Sequence, residues 1–402
     1  MNVLIINNGP KPLPAIYGGG VETLTQFIID KEFGNHQITI ASIYCKAAVE
    51  ESNKYPHIKF VYLDFNSIIY KLQLLLFYLF NHFVGIDIGN ALCNLVMKAV
   101  DINQYDVIIS ENGVRLGKNF RNKFKGKLVL HLHNDWLNVK TKYAELYKCS
   151  YDEIWTISKY LKHRVDEIKG STPVKVLYNG VDTTLFNPSV RDNRNKIRAK
   201  YGISEDDIVI ANCCRIVEEK GVLQTIEVFE SLKTKYAYNN IKLMIIGDVS
   251  IDNDYIKSVK VAASNDVIFT GFVNHDNLPH IMGCADIGIA STIHLDSKYT
   301  SDEYNGVIEC FNLTVIEFMA LGIPVIATNS GGMPEILCSE YSDYIIDARE
   351  STFSDSLEIT LNKMIVKLQT INYEEKSLRT VNIYSKESYI NSFYNLLLNN
   401  EF

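Results

Sequence analysis

The sequence predicts an α/β chain built as two parallel-sheet lobes, and three observations lead to that reading. Short β-branched runs recur with helix-length patterns between them, the alternation expected of parallel strands covered by helices. With 402 residues, and roughly 100–200 residues per domain, two domains are expected. The turn-rich segment Leu177–Arg194, which contains Pro188, separates two sets of strands. The first set is Val3–Asn7, Gln37–Ser42, Asp106–Ser110, Lys127–His131 and Glu153–Ile157. The second is Ile208–Cys214, Lys242–Ile246, Val267–Thr270, Ile287–Ala290 and Pro324–Thr328. Two Rossmann-like lobes imply a cleft at the carboxyl ends of their strands, where such sheets bind ligands.

Composition narrows the function classes. The chain is 47% hydrophobic and 22% charged, ordinary for a globular protein able to bury a core. Residues 1–185 carry 21 basic and 17 acidic side chains, whereas the remainder carries 19 and 30, so a mildly basic half precedes an acidic one. No basic stripe or RNA-binding signature appears, so a nucleic-acid partner is not expected. The eight cysteines form no CxxC or metal-ligand spacing and read as free, mostly buried thiols of a cytoplasmic protein. The opening MNVLIINNGP lacks a basic flank and reads as a buried first strand. The run Leu72–Ile86 carries no charged side chain before Ile86 but is shorter than the roughly 18 residues of a spanning helix. A buried helix is the favoured reading. The alternative is a helix that dips into a membrane surface to reach a lipid-linked substrate, at the inner face of the membrane.

Four motifs carry candidate chemistry. The loop after the first strand, Pro12–Leu24, holds Gly18, Gly19 and Gly20 before a helix expected near Val21, so ligand and backbone can approach closely. It is neither GxGxxG nor a P-loop, which speaks against an NAD-dependent oxidoreductase and against ATP hydrolysis. Arg215 and Lys220 lie between a strand end and a helix near Gly221, a placement suited to a diphosphate. In Lys127–Trp136, alternation puts His131 and His133 on one face; His131 reads as a satisfied core histidine and His133 as the one nearer a ligand. A two-histidine metal site would need a further ligand, and the sequence identifies none. Asp252-Asn253-Asp254 resembles a metal-nucleotide clamp, but a solvated turn is the better reading.

The fourth motif, Glu309–Gly332, carries Glu309 and Glu317 eight positions apart. Thr314 to Glu317 fits a capping box, with Gly322 as the helix stop. Eight helical residues span about 12 Å, more than the roughly 5–9.5 Å between glycosidase carboxylates, so the pair does not suit a hydrolytic acid and base. It suits the two ends of a long ligand with hydroxyls at both.

Taken together, these residues resemble family 4 of the retaining, nucleotide-sugar-dependent glycosyltransferases, which have the GT-B fold. The resemblance rests on Glu309 and Glu317 through Ala320–Thr328 to Gly331-Gly332, on Tyr17–Glu22, on Asn179–Asp182 with Phe186, on Arg215 with Lys220-Gly221, and on Tyr384-Ser385 through Tyr394. It implies an acceptor-binding domain over 1–185, a donor-binding domain over 186–384, and a last helix over 385–402 that returns to the first domain. It implies that Glu317 bonds the ribose, Glu309 the transferred sugar, and the amides around Asn312, Leu313 and Thr314 the sugar and diphosphate. Arg215 and Lys220 would neutralise the leaving diphosphate, Gly19 and Gly20 would close over it, and His133 would touch sugar or diphosphate. No obligatory metal or cofactor is expected. The implied substrates are a UDP- or GDP-linked sugar, UDP preferred, and a glycan, lipid-linked or protein acceptor, as in bacterial surface-glycan assembly. The chain departs from the family at Asn312, where glycine is common, and at Phe318, where alanine is. A non-catalytic GT-B partner subunit is the alternative, against which Glu309, Glu317, Arg215 and Lys220 speak.

Overall fold

In the computed structural model the described residues are 1–84, 88–300, 303–304, 306–337 and 339–398. Ile86, at the end of the apolar run, and Cys338 lie outside them, as do parts of the acidic tract 299–309 and of the last helix. The chain divides into two compact units. One is Met1–Tyr178 with Ser392–Phe402, and the other is Asn179–Asn391.

The first unit contains β1 (Asn2–Asn7), β2 (Gln37–Ile43), β3 (Ile58–Leu63), β4 (Val107–Glu111), β5 (Lys127–Leu132), β6 (Glu153–Thr156) and β7 (Val174–Val176). They form one sheet in the order β3-β2-β1-β4-β5-β6-β7, every pair parallel. The second unit contains β8 (Ile208–Cys213), β9 (Ile241–Ile246), β10 (Val267–Gly271), β11 (Ile287–Ala290), a hairpin β12 (Tyr299–Thr300) and β13 (Glu303–Tyr304), β14 (Val325–Thr328) and β15 (Ile345–Ile346). Its parallel sheet runs β10-β9-β8-β11-β14-β15. Central strands are buried on both faces, which is why they read as unbroken apolar runs: Val3 through Ile6 and Leu243 through Ile246 are nearly inaccessible.

Strand order reverses between β1 and β4 in one sheet and between β8 and β11 in the other. At such switch points the loops leaving the carboxyl ends part in opposite directions and open a crevice. The ten expected strands all form, with ends within two residues of the reading. β3, β7, β15 and the hairpin of β12 and β13 were not foreseen. β3 and β7 are edge strands, and β15 has two residues, too few for any periodicity to show.

The last helix, Lys386–Leu398, carries Phe393 and Tyr394 into an aromatic cluster of the first unit. Phe393 meets Trp155 at 5.6 Å between centroids, and Tyr394 meets Phe33 at 5.5 Å and His36 at 5.7 Å.

The apolar run overturns the buried-helix reading. It forms a helix, Ile68–Leu79, followed by a π-turn, Phe80–Val84. Only Tyr70 of that helix is buried; Leu72, Leu75 and Phe83 are 60%, 55% and 75% exposed. Charge-free composition does not reveal which face is covered, and here almost none is. Among the described residues no helix is long and apolar enough to cross a membrane.

Three of the seven described cysteines are buried, Cys93, Cys284 and Cys310, so burial of most of them does not hold; all seven are free thiols. Asp252 and Asp254 are solvated and pair with Lys257, while Asn253 caps the helix Asp254–Ala262 through the amide of Ile256.

Candidate active site

In the second unit the site grows from the carboxyl ends of β8 and β11. β8 ends at Cys213, one residue earlier than the sequence suggested, and Arg215 lies just beyond it, exposed and without a side-chain partner among the described residues. The turn Glu218–Lys220 then ends on Gly221 at φ +59°, where a β-carbon would lie 2.5 Å from the Ser291 carbonyl oxygen. Glycine is therefore required both for the left-handed backbone and for the close approach. A buried relay fixes this turn: Asn212 Nδ2 donates to Ser291 Oγ at 2.6 Å, and Ser291 Oγ donates to the Lys220 carbonyl oxygen at 2.6 Å.

The Lys220 ammonium pairs directly with Glu309 Oε2. It also donates to Thr292 Oγ1 at 3.2 Å, and Thr292 Oγ1 donates to Glu309 Oε2 at 3.2 Å. Asn312 Nδ2 approaches the same oxygen at 3.5 Å. Three donors thus converge on one carboxylate oxygen, and among the described residues no side chain donates to Glu309 Oε1. The backbone of Glu309 is held as firmly. Its amide donates to Ser330 Oγ at 3.2 Å, and its carbonyl accepts from the Gly332 amide at 2.9 Å. Gly331, at φ +55°, lets the chain pass where a β-carbon would be 2.3 Å from that carbonyl oxygen. Ser330 Oγ is bonded in turn to His294 Nε2 at 2.9 Å.

The helix after Glu309 corrects the capping-box reading. It runs Leu313–Ala320, and Asn312 is its cap, its Oδ1 accepting from the Val315 amide at 3.3 Å. Thr314 lies inside the first turn, and Glu317 is beyond reach of the cap. Asparagine, where the family often has glycine, therefore caps the helix and touches Glu309. The amides of Leu313 and Thr314 bond no protein acceptor among the described residues, so the helix offers two free donors and its positive end. Glu317 is partly exposed, and burial pushes its carboxyl up to about 7. The Phe318 departure has a packing cause: a β-carbon on Gly288 would lie 2.7 Å from the Phe318 ring, so glycine on β11 makes the room that the large side chain fills.

In the first unit, His133 follows β5 and its Nε2 lies 2.7 Å from Glu111 Oε2 at the end of β4. His131 Nδ1 is 3.0 Å from the same oxygen, and the two rings are 4.0 Å apart. All three side chains are buried. His131 is not the satisfied core histidine expected, because neither ring nitrogen makes a well-aligned hydrogen bond among the described residues. Burial would raise the Glu111 carboxyl, but His131 and His133 overcome it and hold it at about 2. Burial, with His131 adding to it, pushes His133 down to about 4 against the pull of Glu111. At neutral pH, then, Glu111 is ionised and His133 neutral, with its proton on Nε2 facing the carboxylate.

Glu111 is the third ligand type that the sequence did not reveal, and the ligand atoms of Glu111, His131 and His133 all lie within 4.8 Å of one another. A tetrahedral zinc-type ion about 2.0–2.1 Å from each ligand would hold them roughly 3.3 Å apart. The contact at 2.7 Å is that of a shared proton.

Gly19, at φ +122° and ψ +143°, caps the helix Gly20–Ile29, which starts one residue before the expected Val21. A β-carbon on Gly19 would lie 2.3 Å from Glu22 Oε2, and the positive φ strains any side chain placed there.

Residues 193–376 match the family model described as glycosyl transferases group 1. The chain is 26% identical over 301 residues to a lipopolysaccharide 1,2-N-acetylglucosaminetransferase of Salmonella typhimurium, covering 73% of this chain and 71% of that one. Across the first three curated relatives, the aligned part spans between 61% and 71% of their length. Among solved structures, a glycosyltransferase of Rickettsia africae superposes with a TM-score of 0.75 at 19% identity, covering 100% and 99% of the two chains. Anabaena HepE, solved with UDP and glucose, gives 0.70 at 19% identity over 98% of each. Two parallel-sheet units of seven and six strands, and the solved structures that superpose on them, give this chain the GT-B fold, and its second unit is similar to the group 1 glycosyl transferases.

Proposed function

We propose that the chain is a retaining glycosyltransferase of family 4 that moves a hexose-type sugar from a nucleoside diphosphate, UDP rather than GDP, to an acceptor hydroxyl. The observation that carries this reading is the convergence of Lys220, Thr292 and Asn312 on Glu309 beside the free amides of Leu313 and Thr314. That arrangement offers a cation and helix amides for a departing diphosphate, and a carboxylate oxygen for sugar hydroxyls. Arg215, exposed on the same loop as Lys220, adds a second cation. Glu317, four residues into the helix, takes the ribose hydroxyls. The relative solved with UDP and glucose supports UDP.

In the reaction, the bond from the anomeric carbon to the phosphate oxygen breaks while the acceptor oxygen bonds to the same face. The acceptor proton passes to the departing phosphate, and Arg215, Lys220 and the helix amides hold the charge. No protein nucleophile takes part. In the first unit, Gly19 and Gly20 are assigned to the diphosphate. His133 is assigned to the transferred sugar, because its Nε2 proton is committed to Glu111 and Nδ1 is left as an acceptor, suited to a hydroxyl and not to a phosphate oxygen.

The exposed apolar helix Ile68–Leu79 supports contact with a membrane surface and an acceptor in surface-glycan assembly, on the cytoplasmic side. A thermal-shift screen tests the donor assignment. UDP and UDP-sugars should raise the melting temperature, with GDP and NAD giving less. Stabilisation by GDP alone, or by no nucleotide, would overturn it.

A further inference from the structure

The Glu309 carboxylate is held by Lys220, Thr292 and Asn312, and its backbone is held by other groups. Both sets lead back to one short segment, residues 291–294, which directly follows β11. The segment is anchored on both flanks. The Ile293 amide donates to the Glu219 carbonyl oxygen at 2.9 Å, and the His294 amide donates to the Ala348 carbonyl oxygen at 2.6 Å. The His294 carbonyl accepts from the Glu350 amide at 3.0 Å, and the Thr292 carbonyl accepts from Thr328 Oγ1 at 2.7 Å.

Side chains alternate along such a segment. Ser291 and Ile293 face the Lys220 turn. Ser291 Oγ donates to the Lys220 carbonyl oxygen at 2.6 Å, and a β-carbon on Gly221 would lie 2.9 Å from Ile293 Cγ2. Thr292 and His294 face Glu309. Thr292 Oγ1 donates to the carboxylate at 3.2 Å. His294 Nε2 lies 2.9 Å from Ser330 Oγ, which accepts from the Glu309 amide at 3.2 Å. One continuation of β11 therefore sets both members of the Lys220–Glu309 pair.

Hydrogen-bond roles fix the proton in the path through Ser330. Ser330 is fully buried. Among the described residues its hydroxyl oxygen meets the Glu309 amide, which only donates, and His294 Nε2. The hydroxyl proton therefore goes to Nε2, since a buried donor left without an acceptor is costly. His294 is then neutral with its proton on Nδ1, 3.3 Å from the hydroxyl oxygen of Tyr299, the first residue of the β12–β13 hairpin. Burial favours that form, pushing the imidazole below its ordinary value against the pull of Asp347.

We propose that His294, acting through the Ser330 hydroxyl, is a positioning residue that fixes the Glu309 backbone so that its carboxylate meets the transferred sugar. This rests on the glycosyltransferase reading and adds a residue to the same site. Misplacing a group by about 1 Å can cost about 100-fold in rate. The nucleotide's assigned contacts with Arg215, Lys220 and Glu317 stay in place, so the loss falls on kcat and not on KM.

The test follows UDP release by the full chain from UDP-glucose, UDP-galactose and UDP-N-acetylglucosamine in turn, with lipid extract as the acceptor source. His294→Leu and Ser330→Ala should each lower kcat by about 10-fold or more, with the donor KM within about 3-fold of the unmodified chain. His294→Gln keeps an acceptor for the Ser330 hydroxyl and should hold kcat within about 3-fold. Combining His294→Leu with Ser330→Ala should be no more than about 2-fold slower than Ser330→Ala alone, because both break one path. Hydrogen exchange read by mass spectrometry should quicken in the peptide that carries the Glu309 amide and stay unchanged in peptides from β8 and β9. An unchanged kcat in either single variant, losses that multiply in the double variant, or a His294→Gln chain as slow as His294→Leu overturns the proposal. Exchange that is unaltered at Glu309, or that rises throughout the chain, overturns it as well. Absence of UDP release from the unmodified chain overturns the donor reading instead, and the exchange comparison, which needs no turnover, still decides the positioning.

Discussion

The Glu111–His133 pair predicts how stability should depend on pH. In the unfolded chain a histidine takes its proton near 6.5, but in the fold His133 does so only near 4. Between those values the unfolded state binds more protons, so stability falls as pH drops through this window and levels off below it. Over roughly 2.5 pH units, at about 1.4 kcal/mol per unit, His133 alone accounts for about 3 kcal/mol. Glu111 acts in a lower window. Its folded carboxyl, at about 2 against 4.5 unfolded, contributes stability that is complete above 4.5 and lost as pH falls toward 2. Both tryptophans, Trp136 and Trp155, lie in the first unit with this pair. Tryptophan emission during urea unfolding therefore reports the relevant unit. The assay compares the unmodified chain with His133→Asn at pH 7.5, 6.5, 5.5 and 4.5. Titrating groups remote from His133 appear in both proteins and cancel in the difference, and Glu111, whose carboxyl His133 helps to hold down, changes its contribution mainly below this pH range. The unmodified chain should lose about 2–3 kcal/mol more than the variant across this range. Identical slopes, or a variant with the steeper one, would refute the assignment of a buried neutral His133.

Three further outcomes follow from the geometry. UDP-glucose, whose diphosphate does not titrate near neutrality, should bind more tightly as pH rises from 6 to 8, because Glu317, raised to about 7, must ionise to accept from ribose hydroxyls; calorimetry with Glu317→Gln should show a flat profile. Gly288→Ala should destabilise the second unit by about 1–3 kcal/mol through overpacking against Phe318, measured by circular dichroism, with Phe318→Ala restoring part of the loss in the double variant. Leu75→Asp should leave the melting temperature unchanged, since that side chain is 55% exposed, and should abolish sedimentation with anionic liposomes; a large fall in melting temperature would show the helix to be core.

The fold was readable because each central strand is buried on both faces and so announces itself as a β-branched run. β15 was not readable because a two-residue strand has no period. Within the site, Glu309 stood out because no helix-end role explained it, and the structure gives it none. Glu317 was misread because Thr314 fits a capping box, yet Asn312 takes the cap two residues earlier. Asn212, Ser291, Thr292 and Ser330 went unnoticed as small polar residues, which mark strand ends and turns everywhere. Only the tertiary relay from Asn212 to Lys220 distinguishes them. Glu111 was hidden similarly: its partner histidines are 20 and 22 residues away in sequence and adjacent only through the pairing of β4 with β5. Burial of the apolar run depended on what packs against it, which composition does not encode.

The Lys220–Glu309 network is assigned to the donor, and the rate of acceptor-dependent UDP release from a UDP-sugar, with lipid extract as the acceptor source, tests that assignment. Lys220→Ala and Glu309→Ala should each lower that rate by about 10²-fold or more, the scale of removing a preorganised group that stabilises transition-state charge, with circular dichroism unchanged. Full release in either folded variant would contradict the account.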